Sequence, residues 1–154
     1  MGLWSRLFGG QVKVIDHPEI GRIKRQSKLT WESESVPSLG CRGDFSVTFS
    51  GCESGPLQEC LETYKRLRRD WKVIAREVAE TLFELNQNYC NETPKLQQRS
   101  LDEVWESAEL VGIDVSGDGE FSLTFTCDWQ AAEDGHLIVL HFEHWRSMCV
   151  SIDG

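Results

Sequence analysis

Residues 121–129, Phe121-Ser122-Leu123-Thr124-Phe125-Thr126-Cys127-Asp128-Trp129, decide the fold. Apolar side chains occupy every second position and Ser, Thr or Asp the positions between. A period of two puts one set on each face of a strand, so this is a strand with one buried and one polar face. Just before it, Ser116-Gly117-Asp118-Gly119 reads as a hairpin turn, because glycine accepts positive φ. Residues 110–115 then form its antiparallel neighbour. On the other side, residues 130–135 read as a loop, residues 137–142 as a third strand and residues 146–152 as a fourth. Met148, Val150 and Ile152 share one face of that last strand, and Ser147, Cys149 and Ser151 the other.

Residues 45–50 repeat the alternation, with Phe45, Val47 and Phe49 against Ser46, Thr48 and Ser50. Further N-terminal, Val12, Val14 and Ile15 lead to a turn at Asp16-His17-Pro18, and residues 20–25 and 29–34 follow as short strands. The Pro and Gly residues of 36–43 make that segment a loop. Between the two groups of strands the period changes. Leu57, Cys60, Leu61, Tyr64, Leu67, Trp71, Ile74, Ala75, Val78, Leu82, Leu85 and Tyr89 fall at steps of one, three or four, which draws one stripe along a helix over residues 56–89. Such a helix is roughly 50 Å long at 1.5 Å per residue, so a kink or break is expected near Arg69-Asp70. Ser100 and Glu103 have the spacing of a capping box, which starts a short helix over residues 100–108. The expectation is an α+β fold, an antiparallel sheet with both helices packed on one face. The other face is rich in Ser and Thr and is either solvated or covered by a partner. Residues 1–10, with Leu3, Trp4, Leu7 and Phe8, read as an apolar plug on one domain over residues 11–154.

The 154 residues carry a net charge of −9. Residues 1–77 hold 13 basic and 10 acidic side chains, and residues 78–154 hold 3 and 15, so the halves carry +3 and −12. That balance argues against nucleic acid and favours a basic protein partner. Asp114, Asp118, Glu120, Asp128, Glu133 and Asp134 are the expected binding surface. The basic run Lys65, Arg66, Arg68, Arg69 and Lys72 reads as a solvated helix face, diluted by Glu59, Glu62 and Asp70. No apolar run is long enough for a membrane span. The N-terminal residues do not read as a signal peptide, so a cytoplasmic protein with reduced thiols is expected.

P-loop, dinucleotide and nucleophile-elbow patterns are absent from the sequence. Asp114-x-Ser116-x-Asp118-Gly119 matches half of a calcium loop, but the twelfth position is Phe125 where Glu is required, and a hairpin is the better reading. Imidazole, thiolate and carboxylate are zinc ligands, so the 127–144 region is where a metal-dependent enzyme would place its ion. Cys127, His136 and His141 are the residues such an ion would use. His141 and His144 are three apart and point to opposite faces of a strand, which disfavours a chelating pair. The reading taken is no metal, no cofactor and no catalytic residue.

Asp128, Trp129, Glu133, Asp134, Gly135 and His136 also carry a resemblance. Together with Asp16-His17-Pro18-Glu19-Ile20-Gly21, the strand around Trp31 and the helix around Asp70-Trp71, they resemble an uncharacterised bacterial domain family. In that family a strand ending in an Asp-Trp-like pair precedes an acidic loop with His and Gly, here in the order Gly135-His136. The resemblance runs from about residue 14 and implies no established activity. Similar small proteins look like immunity or accessory proteins. From the charge split and the lack of catalytic motifs, one concrete expectation is a non-catalytic, immunity-type inhibitor that masks a basic toxin, such as a nuclease. A homodimer through the Ser/Thr-rich face or an edge strand is a further reading.

Overall fold

The computed structural model describes residues 12–34, 39–92, 98–129 and 137–153. The N-terminal plug and residues 130–136 lie outside them. Ten elements follow in order: β1 (Val14–His17), β2 (Gly21–Arg25), β3 (Thr30–Ser33), β4 (Ser46–Ser50), α1 (Gln58–Glu92), α2 (Leu101–Ser107), β5 (Ala108–Gly117), β6 (Glu120–Cys127), β7 (Leu137–Glu143) and β8 (Arg146–Asp153). The eight strands form one sheet in the order β1-β2-β3-β4-β5-β6-β7-β8, with the helices on one face: the α+β fold expected from the periodicities.

One pairing departs from the expected antiparallel sheet. β4 and β5 run parallel, with Val47 opposite Ile113 and Phe49 opposite Val115. Parallel neighbours need a long crossover, and α1 with α2 supplies it. Every other neighbouring pair is antiparallel.

The apolar stripe of α1 is the reason the helix forms where it does. Cys60, Leu61, Tyr64, Leu67, Trp71, Ile74, Val78 and Leu82 are all buried against the sheet. They meet Trp31, Val47, Phe49, Leu110, Ile113, Leu123, Phe125, Ile138 and Leu140 in one cluster. Fully burying each such large apolar side chain stabilises by about 1.5–3 kcal/mol relative to leaving it in water. The break expected near Arg69-Asp70 does not occur. The helix is continuous for 35 residues and ends three residues later than read. Its length is accommodated because it runs past both ends of β6. Thr63 meets the β5–β6 hairpin at one end, and Tyr89 packs on Trp129, 6.2 Å between ring centres, at the other. Asn86, a polar residue within the last two turns, is fully buried.

Three local devices hold the ends together. Thr63 Oγ1 donates to the Gly117 carbonyl and accepts from the Gly119 N–H, both at 2.9 Å, so α1 clamps the hairpin. Gly119 takes φ of 68°, and a Cβ there would lie 2.6 Å from Trp145 Nε1. Ser100 caps α2 as its spacing predicts: Ser100 Oγ accepts from Glu103 N–H, and Glu103 Oε2 accepts from Ser100 N–H at 2.8 Å. His144, read as a strand residue, lies instead in the β7–β8 turn. There it and Trp145 both adopt positive φ, 49° and 66°. Two left-handed residues in a two-residue turn match the twist of the strands they join. The Trp145 ring is held between Phe121 and the Arg66 guanidinium, 5.4 and 4.1 Å away.

Candidate binding face

Because successive side chains of β3 to β7 alternate between faces, apart from the irregularities of β5, the residues between the core positions make a second surface. Trp31, Phe49, Ile113, Leu123 and Leu140 point to the helices, so their neighbours Glu32, Thr48, Asp114, Ser122 and His141 point away. The registers align these in one row. Lys24 lies opposite Glu32, Glu32 opposite Thr48, Thr48 opposite Asp114, Asp114 opposite Ser122, Ser122 opposite His141, and His141 opposite Cys149. A second row runs Ser46, Gly112, Thr124, Val139, Ser151. Neither helix covers this face. It is the Ser/Thr-rich surface expected from the alternation.

Local hydrogen bonds fix its polar groups. Thr48 Oγ1 bonds the Asp114 carboxylate across the parallel pair, and the Gln26 amide bonds Glu32. His141 Nε2 and Ser151 Oγ are 3.1 Å apart, with the tautomer setting the donor. Two open hollows flank the row. The larger, about 880 Å³, is lined by Lys24, Glu32, Glu34, Asp44 and Ser46 among others. The smaller, about 230 Å³, is lined by Asp114, Ser116, Glu120, Ser122, His141 and Glu143, with Phe121 and Phe142. Six carboxylates thus border the face. Cations stand among them: Lys24 lines the larger hollow, Arg22 is paired with Glu34 at 3.1 Å, and Arg146 lies opposite Glu143 in the β7–β8 register.

The expected acidic surface is divided among several places. Asp114 and Glu120 share the smaller hollow. Asp118 lies at the β5–β6 turn and borders a different hollow, beside Arg66, Arg69 and Trp145. Asp128 is paired with Arg99 at 2.6 Å beyond the end of β6. Glu133 and Asp134 lie outside the described residues, as does His136. The sequence reading missed Glu32, Glu34, Asp44 and Glu143. Strand parity was the available signal for Glu32, which is flanked by the inward Trp31 and Ser33.

The metal candidates do not converge. Cys127 is buried on the helix side of β6, and burial pushes its thiol up to about 12. His141 sits on the opposite face of the sheet, across from Ser122. One ion cannot reach both. Among the described residues, no three His, Cys, Asp or Glu side chains are grouped so as to hold a metal ion. Among the described residues, no cysteine is joined in a disulfide. No helix among the described residues is long and apolar enough to cross a membrane.

The basic run on α1 is engaged by its neighbours. Lys65 lies 3.3 Å from Glu19 and 3.1 Å from Glu62, and Arg68 donates to the Glu19 carbonyl. Arg69 binds Asp70 at 2.9 Å and holds its carboxyl below the usual range. This is the arrangement of a solvated, internally compensated helix face.

Neither the curated proteins nor the solved structures contain a match to this chain. Residues 19–149, which include β2 to β7, both helices and the first half of β8, match the family described as Domain of unknown function (DUF6985). With most of its length inside that match, the chain belongs to the DUF6985 family.

Proposed function

We propose that this chain is a non-catalytic protein-binding domain, and that the uncovered sheet face receives a basic protein partner. The observation that carries the reading is the placement of acids from both halves of the chain around one helix-free face: Glu32, Glu34 and Asp44 at one hollow, Asp114, Glu120 and Glu143 at the other. A surface on which carboxylates outnumber cations speeds encounter with a basic partner and disfavours acidic ones. An immunity-type inhibitor that masks a basic toxin in the cytoplasm is the concrete form of this reading.

The full chain, immobilised at low salt, is expected to retain a basic protein identifiable by mass spectrometry. Retention should fall in high salt and in the Glu120→Lys/Glu143→Lys variant. It should survive in Asp102→Lys/Glu106→Lys, which changes charge equally on α2. Binding indifferent to salt and to the sheet-face variant would sink the proposal.

A further inference from the structure

The two edges of the sheet are protected very differently. β1 is four residues long, carries Asp16 and His17, and runs directly into Pro18. Short length, charge and proline are the devices that stop an edge strand from recruiting another strand. β8 is twice as long. Its charges, Arg146 and Asp153, stand only at its ends, and the interior Ser147-Met148-Cys149-Val150-Ser151-Ile152 has neither charge nor proline. Among the described residues no strand pairs with its outer side. Met148 is 58% exposed and Ile152 is 55% exposed. Met148 has no partner on β7, because the ladder passes from Phe142–Ser147 to His141–Cys149. Ile152 borders a small apolar hollow with Leu85, Tyr89, Trp129 and Ile138.

We propose that β8 pairs antiparallel with β8 of a second copy of this chain, across a two-fold axis at Val150. A two-fold normal to the sheet keeps like faces together, so partner positions differ by an even number of residues. Centring on Val150 sets Met148 opposite Ile152 of the second copy, Val150 opposite Val150 and Cys149 opposite Ser151. The three apolar positions of one strand then meet the three of the other, covering the two most exposed apolar side chains of the edge. Arg146 of each copy comes within one position of Asp153 of the other, so both ends carry opposite charges. A parallel arrangement would instead bring Arg146 beside Arg146. This charge pattern favours a second copy of the chain over an unrelated strand.

This edge borders the acidic face, but pairing along it responds oppositely to salt. Two chains of net charge −9 repel, so added salt should strengthen the dimer while weakening capture of a basic partner. Sedimentation equilibrium of the full chain, from micromolar to near-millimolar concentration and at low and high salt, is the test. A monomer–dimer equilibrium favoured by salt is expected. Met148→Lys should weaken it about tenfold, since the change enters the interface twice. Met148→Lys/Ile152→Glu should restore it, because those positions face each other. Leu29→Lys, at an equally exposed apolar residue remote from β8, should leave it unchanged. A strict monomer overturns the proposal. So does a dimer indifferent to Met148→Lys, or one that the double variant fails to restore. Pairing of β8 only with a strand of another protein, with the chain itself monomeric, overturns it as well.

Discussion

The two faces of the central sheet are built from the same strands, one residue out of step. On β6, Leu123 lies between Ile113 and Leu140 under the helices, while Thr124 beside it lies between Gly112 and Val139 on the open side. One face is closed by a 35-residue helix whose apolar stripe continues its core, and the other presents hydroxyls and carboxylates. The difference teaches that covering a sheet and leaving it open are decided by alternate side chains on a shared backbone. A one-residue slip would exchange them.

The sharpest probe of that contrast is a pair of thiols. Cys149 is exposed opposite His141, and Cys127 is buried under the helices. In dilute native protein, alkylation followed by mass spectrometry should label Cys149 readily. It should reach Cys127 more slowly by about a thousandfold or more, through unfolding. Equal rates would mean that the two faces are not distinct.

Truncation comes next in size. Leu123→Ala should destabilise by about 2–5 kcal/mol in denaturant melts, because it leaves a cavity in the packed cluster. Thr124→Ala should change stability by no more than about 0.5 kcal/mol. Comparable losses at both positions would break the comparison. At the hairpin that α1 clamps, Gly119→Ala combines a positive φ with a Cβ pressed on Trp145, and should cost about 1–3 kcal/mol in the same melts. Ser100→Ala removes half of the α2 capping box and should cost about 1 kcal/mol.

The last probe of the closed face is a pH slope. Burial raises Cys127 to about 12, Tyr64 to about 12 and Cys60 to about 11. The ordinary thiol value is 9.0. Below it Cys127 is neutral in both the folded and the unfolded chain, and its contribution is intact. As pH rises past 9.0 the unfolded chain ionises first, so stability declines toward the folded value of about 12. Melts at pH 8 and pH 10.5 should therefore show a decline that is shallower in Cys127→Ala. An equal decline in both proteins would separate Cys127 from the core.

Much of the fold is legible in the chain because its signals are local. The alternation over residues 121–127, the stripe from Cys60 to Leu82 and the Ser100–Glu103 box each report on neighbours a few residues away, and each forms as read, while Asp128 and Trp129, read as the end of the strand, lie in the turn after it. The acidic face was legible only in part. Asp114 and Glu120 belong to it, but Asp118 borders a hollow with Arg66 and Arg69, and Asp128 is bound by Arg99. A net charge over half a chain carries no information about which carboxylates share a surface.

By itself, then, the amino-acid sequence determined which residues form strands and helices and which side of each element is apolar. Periodicity along the backbone is a property of adjacent residues. Only the tertiary structure decided that β4 and β5 run parallel, that α1 passes Arg69-Asp70 unbroken, and that Glu32 from one half lies in the same cross-strand row as Asp114 from the other. These are pairings between residues tens of positions apart. They depend on how the helices cross over the sheet and in what register each strand closes.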